Sequence, residues 1–367
     1  MESVYAGKED CSGCGACFSR CPEQAITMEA DEEGFLYPKI DAAQCLDCGI
    51  CRAVCPLLHE GHYKEQELSR FYVARHKSAD VLLQSTSGGA FTALSDAVLR
   101  QNGVIYGADY DEDFRVLHRR AETSAERDRM RISKYVQSDI TQVHAQIKSD
   151  LKEGRMVLFT GTPCQTAGVR AFIGDSPLAK KLYCCDLVCH SIPSPLIWEE
   201  YKKLLEREQG AKLAGVQFRS KKDGWSRANS NKGFLFRTES DSRLQEDDRF
   251  YHLFFKVGAI TRSSCSACRF TDLQRASDLT IADYWGIEKY SPQWFDPLGV
   301  SLIMLNSVKG ADLFARCKED LLSEEREKEE SLSEQKRLRE PVQLPPERSR
   351  FWQEYKQFGF AHIIEKW

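Results

Sequence analysis

One cysteine run occurs twice in the first 56 residues: Cys11-x-x-Cys14-x-x-Cys17-x-x-x-Cys21-Pro22 and Cys45-x-x-Cys48-x-x-Cys51-x-x-x-Cys55-Pro56. No other feature of the chain restricts its fold so tightly. A C-x-x-C-x-x-C loop is short enough to wrap three thiolates around one face of a [4Fe–4S] cluster. The fourth cysteine, before proline, reaches the other cluster in two-cluster ferredoxins. The spacing therefore groups Cys11, Cys14, Cys17 and Cys55 around one cluster, and Cys45, Cys48, Cys51 and Cys21 around a second. Gly13, Gly15 and Gly49 supply the tight backbone such loops need. Zinc also binds C-x-x-C pairs, but two complete runs that each end in Cys-Pro favour clusters.

The remaining cysteines are distributed unevenly. Of 15 in the chain, eight lie within residues 1–55, none within 56–163, and seven beyond. Such clustering in a chain of 367 residues points to metal or redox chemistry in a reducing compartment rather than to disulfides. The opening MESVYAGKED lacks a signal pattern, and the most apolar stretches are of strand length, so no membrane span and a cytoplasmic location are expected. A net charge of −4 gives no footprint for nucleic acid.

Beyond a polar linker at residues 60–69, the pattern alternates between strands and helices. Strands are expected at 70–75, 104–107, 116–119, 156–159, 182–188 and 300–305, with helices at 91–99, 140–151 and 195–206. This alternation predicts an α/β fold, a mixed sheet with flanking helices, preceded by a small α+β bacterial-ferredoxin-like domain. The expected divisions are 1–60 for the two-cluster domain, 68–150 and 151–310 for two parts of the main domain, and 311–367 for a charged helical tail. Residues 216–237, with short strands and glycine turns, suggest an insertion or a small second sheet. The charged run 319–339 reads as a solvated helix or loop, followed by an aromatic helix at 351–358.

A second cysteine constellation lies in this main domain. Cys164 follows an apolar strand in Gly161-Thr162-Pro163-Cys164-Gln165, Cys189 ends another in Val188-Cys189-His190, and Cys265 and Cys268 form a C-x-x-C pair. Together they offer four ligands at the carboxyl edge of a sheet. A third cluster, a tetrahedral zinc site and unligated thiols all remain compatible with that spacing. Cys184, Cys185 and Cys317 read as buried structural thiols.

Ser87-Gly88-Gly89 stands directly before a helix, where backbone N–H groups and the helix dipole favour an anion. Lys134-Tyr135-Val136-Gln137-Ser138 adds a cation and polar groups, and Asp283-Tyr284-Trp285-Gly286 a carboxylate with aromatics. No G-x-G-x-x-G or Walker motif is present, so neither a nicotinamide nor an ATP site is indicated.

Taken together, these motifs resemble the coenzyme F420 hydrogenase/dehydrogenase beta-subunit family, in the form with an N-terminal two-cluster ferredoxin domain. The resemblance implies an FAD-binding core that exchanges hydride with a deazaflavin coenzyme or a related acceptor. It implies that Ser87, Gly88, Gly89, Lys134, Gln137 and Ser138 face FAD, with Thr162 and Asp283 as further cofactor contacts. It also implies that Cys164, Cys189, Cys265 and Cys268 hold a third [4Fe–4S] cluster. The expected function is an FAD- and iron–sulfur-dependent oxidoreductase, fed by ferredoxin or a partner redox subunit and acting on a small organic hydride acceptor or donor. His190 is its candidate proton donor. The alternative is an electron-transfer subunit with no substrate of its own.

Overall fold

The structure is a computed structural model that describes residues 3–59, 68–230 and 233–367. Most of the expected linker, residues 60–67, therefore lies outside the described residues. In the N-terminal module, β1 (Ile26–Ala30) and β2 (Leu36–Ile40) form an antiparallel hairpin. Two short helices, Ala16–Arg20 and Ile50–Ala53, each start behind a glycine in the left-handed region, Gly15 at φ 71° and Gly49 at φ 74°. That conformation costs a side-chain-bearing residue energy, so the glycines permit each run to turn from loop into helix.

The main domain carries β3 (Arg70–His76), β4 (Val104–Tyr110), β5 (Val116–Ala121), β6 (Val157–Gly161) and β7 (Leu182–Leu187). A separate antiparallel sheet follows, made of β8 (Leu213–Gln217), β9 (Leu235–Thr238) and β10 (Gln245–Glu246). The chain then returns with β11 (Leu279–Asp283), β12 (Ser301–Leu305) and β13 (Leu321–Arg326). The large sheet runs β13-β3-β12-β11-β7-β6-β4-β5. Its centre, β4, β6, β7 and β11, is parallel, whereas β12 lies antiparallel between β11 and β3. Strands β3, β4, β6, β7 and β11 therefore all end at one edge.

Helices cover both faces, as a central parallel sheet requires. Ala93, Leu94 and Val98 of the Ala90–Leu99 helix pack with Leu313 and Phe314 over Ile105, Leu158 and Ile303. On the other face, Ile147, Leu151, Val169 and Phe172 cover Val104, Val157 and Phe159. Every residue of β6 and β12 is buried. The fold is thus the mixed α/β sheet with a small ferredoxin-like domain that the sequence pattern predicts. Cys184, Cys185 and Cys317 are fully buried in these cores, as expected of structural thiols.

The charged run departs from expectation. Residues 321–326 are not a solvated helix or loop but the edge strand β13, paired with β3. Only Leu321 is buried, and Glu325 pairs with Arg70 at 2.6 Å on the neighbouring strand. Backbone pairing at a sheet edge leaves side chains in water, so charged composition does not oppose it. The aromatic C-terminal helix, Arg348–Lys366, buries Phe351, Trp352, Phe360 and Ile363 beside Trp198 and Phe250. No helix among the described residues is long and apolar enough to cross a membrane.

Candidate functional site

The two cysteine runs close around two hollows, with the crossed membership that their spacing implies. One hollow is lined by Cys11, Cys14, Cys17 and Cys55, the other by Cys21, Cys45, Cys48 and Cys51. Backbone N–H groups of Gly13, Ala16 and Phe18 donate to the sulfurs of Cys11, Cys14 and Cys17, and those of Leu57 and Leu58 to Cys55. Burial, foremost, raises the pKa of all four thiols. Four thiols with inward amides, held where ionisation without a counter-charge is costly, suit a cluster that takes them as thiolates. They form hollows rather than single-ion sites: among the described residues no three His, Cys, Asp or Glu side chains close around one point.

The two hollows differ in setting. Cys48 is exposed and the second hollow is rimmed by exposed Leu46 and Ile50. The first hollow faces the main domain. There the Pro163–Ile173 helix begins behind β6 with proline at its first turn and a Thr162–Gln165 capping box. Its Gly168 faces Cys14, and its Ala167 packs with Leu57, beside Cys55, Cys164 and Cys268.

The second cysteine constellation assembles in space at the sheet's carboxyl edge. Burial, foremost, raises the Cys189 thiol, and Cys265, Cys164 and Cys268 raise it further. The thiols of Cys265 and Cys268 are raised by burial and by Cys164. Cys164 Sγ lies 3.2 Å from Thr162 Oγ1 and takes the N–H of Gln165; Cys268 takes those of Phe270 and Thr271. Cys11 of the module and Cys164, Cys189 and Cys265 of the main domain all border one small core of Phe35, Tyr37 and Ile192. The four thiols, with amides on Cys164 and Cys268, are donors of the type a cluster takes.

The other candidate residues fall into two groups. Gly88 lies against the sheet, where a side-chain carbon would stand 2.5 Å from Ser301 N and 2.6 Å from Ala74 O. Ser87 Oγ donates to Val300 O at 2.7 Å, Gly88 N to Ser301 Oγ at 2.9 Å, and Gly89, at φ 78°, caps the Ala90–Leu99 helix. Thr86 Oγ1 accepts the Ser133 N–H at 2.8 Å, which joins this turn to the Lys134 segment. The Lys134 ammonium is turned into its own loop, donating to Arg129 O, Arg131 O and Ile132 O, and burial pushes its pKa down to about 8.

Asp283 ends β11 in an ion pair with Arg219 at 3.1 Å, and accepts the Trp225 indole N–H at 2.6 Å. Arg219 also reaches the Tyr135 hydroxyl at 3.2 Å. Tyr135 meets Phe255 edge-on, Phe255 packs on His190, and Trp225 stacks on Trp285 at 4.8 Å. The Lys221 ammonium donates to Ser87 O and Leu82 O, and burial pushes its pKa down to about 7. Ser87 is thus joined through Lys221 to the segment that holds Arg219 and Asp283, and His190 through Phe255 to Tyr135. A helix start, cations and aromatic walls are the groups a flavin nucleotide uses. His190 keeps an exposed edge, while burial of the rest of its ring lowers its pKa.

Gln137 and Ser138 lie apart from those residues. Gln137 Nε2 donates to Ser12 O at 3.1 Å, in the loop of the first hollow. Ser138 Oγ sits 2.8 Å from His118 Nδ1 and accepts from Gln165 Nε2 at 2.9 Å, in a buried network that ends at Thr162. Arg219, Lys221, Trp225 and Arg262 join these sites without having been marked by any sequence motif. Arg262 stands three residues before Cys265, and that nearness to the C-x-x-C pair is the signal that could have found it.

Comparison with known proteins matches the two parts separately. Residues 154–331 match the family model that describes the C terminus of the coenzyme F420 hydrogenase/dehydrogenase beta subunit, and residues 10–57 match a 4Fe-4S dicluster domain. An uncharacterized ferredoxin of Methanocaldococcus jannaschii is 34% identical over 53 residues, 14% of this chain and 68% of that protein. The isethionate sulfite-lyase activating enzyme of Desulfovibrio desulfuricans is 38% identical over 87 residues, 23% of this chain and only 25% of that enzyme. Among solved structures, a chain of the F420-reducing [NiFe] hydrogenase complex from Methanosarcina barkeri, in a xenon derivative, aligns with a TM-score of 0.49 and 16% identity. The alignment covers 83% of this chain and 97% of that one.

Proposed function

We propose that this chain, which belongs to the coenzyme F420 hydrogenase/dehydrogenase beta-subunit family and carries a 4Fe-4S dicluster domain at its N-terminus, is a cytoplasmic, FAD-dependent oxidoreductase. It passes electrons between its ferredoxin module and FAD, and exchanges hydride with coenzyme F420 or another organic acceptor. One observation carries the reading: a single helix, Pro163–Ile173, presents Cys164 to the second cysteine constellation and Gly168 to Cys14 of the module. The three cysteine sets thereby form one continuous series, from exposed rim to sheet edge.

In this reading Cys21, Cys45, Cys48 and Cys51 hold the outer cluster, Cys11, Cys14, Cys17 and Cys55 the inner one, and Cys164, Cys189, Cys265 and Cys268 a third. Clusters carry single electrons, and bound FAD supplies the junction between one-electron and hydride chemistry. The start of the Ala90–Leu99 helix, behind Gly89, offers backbone donors to a phosphate. Lys134 and Lys221 fix the loops beside it through their carbonyl contacts, and the Arg219–Asp283 pair fixes the end of β11. His190 is placed to exchange a proton with solvent.

The ultraviolet–visible spectrum of anaerobically purified protein tests the FAD assignment. A cluster band with flavin released on denaturation is expected, and a cluster band with no releasable flavin would overturn it. Exposed Leu46, Ile50 and Cys48 at the outer hollow favour a second reading, an electron-transfer subunit that hands electrons to a partner enzyme. Flavin without turnover on F420 or other acceptors, given reduced ferredoxin, would select it.

A further inference from the structure

Arg262 is fully buried, yet no carboxylate is among its polar partners. Its guanidinium donates to Cys11 O at 2.9 Å, Leu36 O at 3.0 Å and Gln137 Oε1 at 2.9 Å, all neutral acceptors. Its flat face lies over the Tyr37 ring at 4.2 Å and near the Phe35 ring at 5.3 Å. The remaining contact is Cys11 Sγ, 3.9 Å from one terminal nitrogen. A buried cation is costly unless negative charge compensates it, and Cys11, a cluster ligand in the proposed reading, would supply that charge as a thiolate. Cys11, Cys164 and Cys265 border the same Phe35–Tyr37 core over which the guanidinium lies, and Arg262 O accepts the Cys265 N–H at 3.0 Å. The cation therefore stands between the inner module set and the second constellation. Arg275, the other fully buried guanidinium beside that constellation, already has a carboxylate in Asp186, at 2.9 Å.

We infer that Arg262 is the shared counter-charge of the two facing cluster sites, raising the reduction potentials of both relative to the outer site. The inference rests on the reading that clusters occupy both cysteine sets. Reduction adds one electron from the donor to a cluster and breaks no bond, so each reduced site gains one negative charge. A fixed cation beside Cys11, Cys164 and Cys265 favours that charge. Cys21, Cys45, Cys48 and Cys51, which line the separate outer hollow, receive no contact from it.

The test is a potentiometric titration with dithionite, followed by electron paramagnetic resonance, on the full chain and on Arg262→Gln, Arg262→Lys and Gln137→Glu. Gln137→Glu keeps the arginine and sets a carboxylate beside it, so it neutralises the site without removing packing. Both Arg262→Gln and Gln137→Glu should shift the reduced-to-oxidised ratio of the inner and third clusters about tenfold toward oxidised at fixed potential, about 59 mV for one electron. The outer cluster should not move, and Arg262→Lys should stay near the unmodified protein. If Arg262→Gln loses iron, Gln137→Glu decides. Full iron with unmoved or uniformly shifted potentials would overturn the inference alone. About eight irons or fewer per unmodified chain, in place of about twelve, would overturn the cluster reading and the inference with it.

Discussion

Gly168 and Cys14 are in such close contact that a side-chain carbon at residue 168 would sit 2.7 Å from Cys14 Cβ and 2.9 Å from its Sγ. A cysteine free to rotate could yield; one of four thiols fixed around a hollow has nowhere to go. Gly168→Ala should therefore cost about 1–3 kcal/mol of stability, the range for overpacking a filled core, and lower iron content at the inner site. Thermal unfolding with iron assay checks both, and an unchanged midpoint with full iron would count against the packing argument.

Iron content also separates the fates of the second constellation. The anaerobic protein should carry about twelve irons per chain, four per cluster. Cys189→Ser and Cys265→Ser should each lower this to about eight, leaving the N-terminal module loaded. About eight in the unmodified protein would remove the third cluster from the proposal.

The Arg219–Asp283 pair is nearly closed to solvent, with side chains 8% and 12% exposed. Asp283→Ala leaves a buried guanidinium and the Trp225 indole N–H without their acceptor. Breaking a buried pair on one side costs about 3–5 kcal/mol. Urea unfolding should show that loss, and Trp225 should report it by fluorescence. A loss no larger than that of an exposed pair would mean that the end of β11 repacks.

His118 gives the structure a direction of acid sensitivity. Both ring nitrogens are engaged, Nε2 with Thr160 O at 2.8 Å and Nδ1 with Ser138 Oγ, and burial pushes its pKa down to about 4. Between that value and the ordinary histidine value near 6.5 the unfolded chain binds more protons, so stability falls as pH drops through this window. Above it the imidazole is neutral in both states and nothing is lost. The whole window amounts to about 3 kcal/mol, of which about 2 kcal/mol falls between pH 7 and pH 5, where denaturation of the loaded protein measures it. His118→Gln should remove its share of that dependence and leave the share of His144, which burial also pushes down to about 4.

The sites legible in sequence are those whose geometry is local. The C-x-x-C-x-x-C loops, the glycines behind each short helix and the Thr162–Gln165 cap act within a few residues, so spacing alone reveals them. Arg262 and Arg219 escaped because their partners lie far along the chain: Cys11 is 251 residues from Arg262, and Asp283 is 64 from Arg219. Gln137 and Ser138 show the converse. Their motif is local, but the docked module claims the first side chain and a buried histidine the second. β13 was hidden because an edge strand is chosen by the backbone of its neighbour, to which the composition of 321–326 is blind.

The crossed lining of the two hollows bears on how such a module is made. Cys21 follows the helix that carries Cys17 yet faces the outer hollow, and Cys55 closes the inner one. Neither hollow is complete until both runs have been synthesised and folded together. Cluster insertion during biogenesis is thereby tied to the whole of residues 11–55, and a half-translated module offers an assembly factor no finished site to fill.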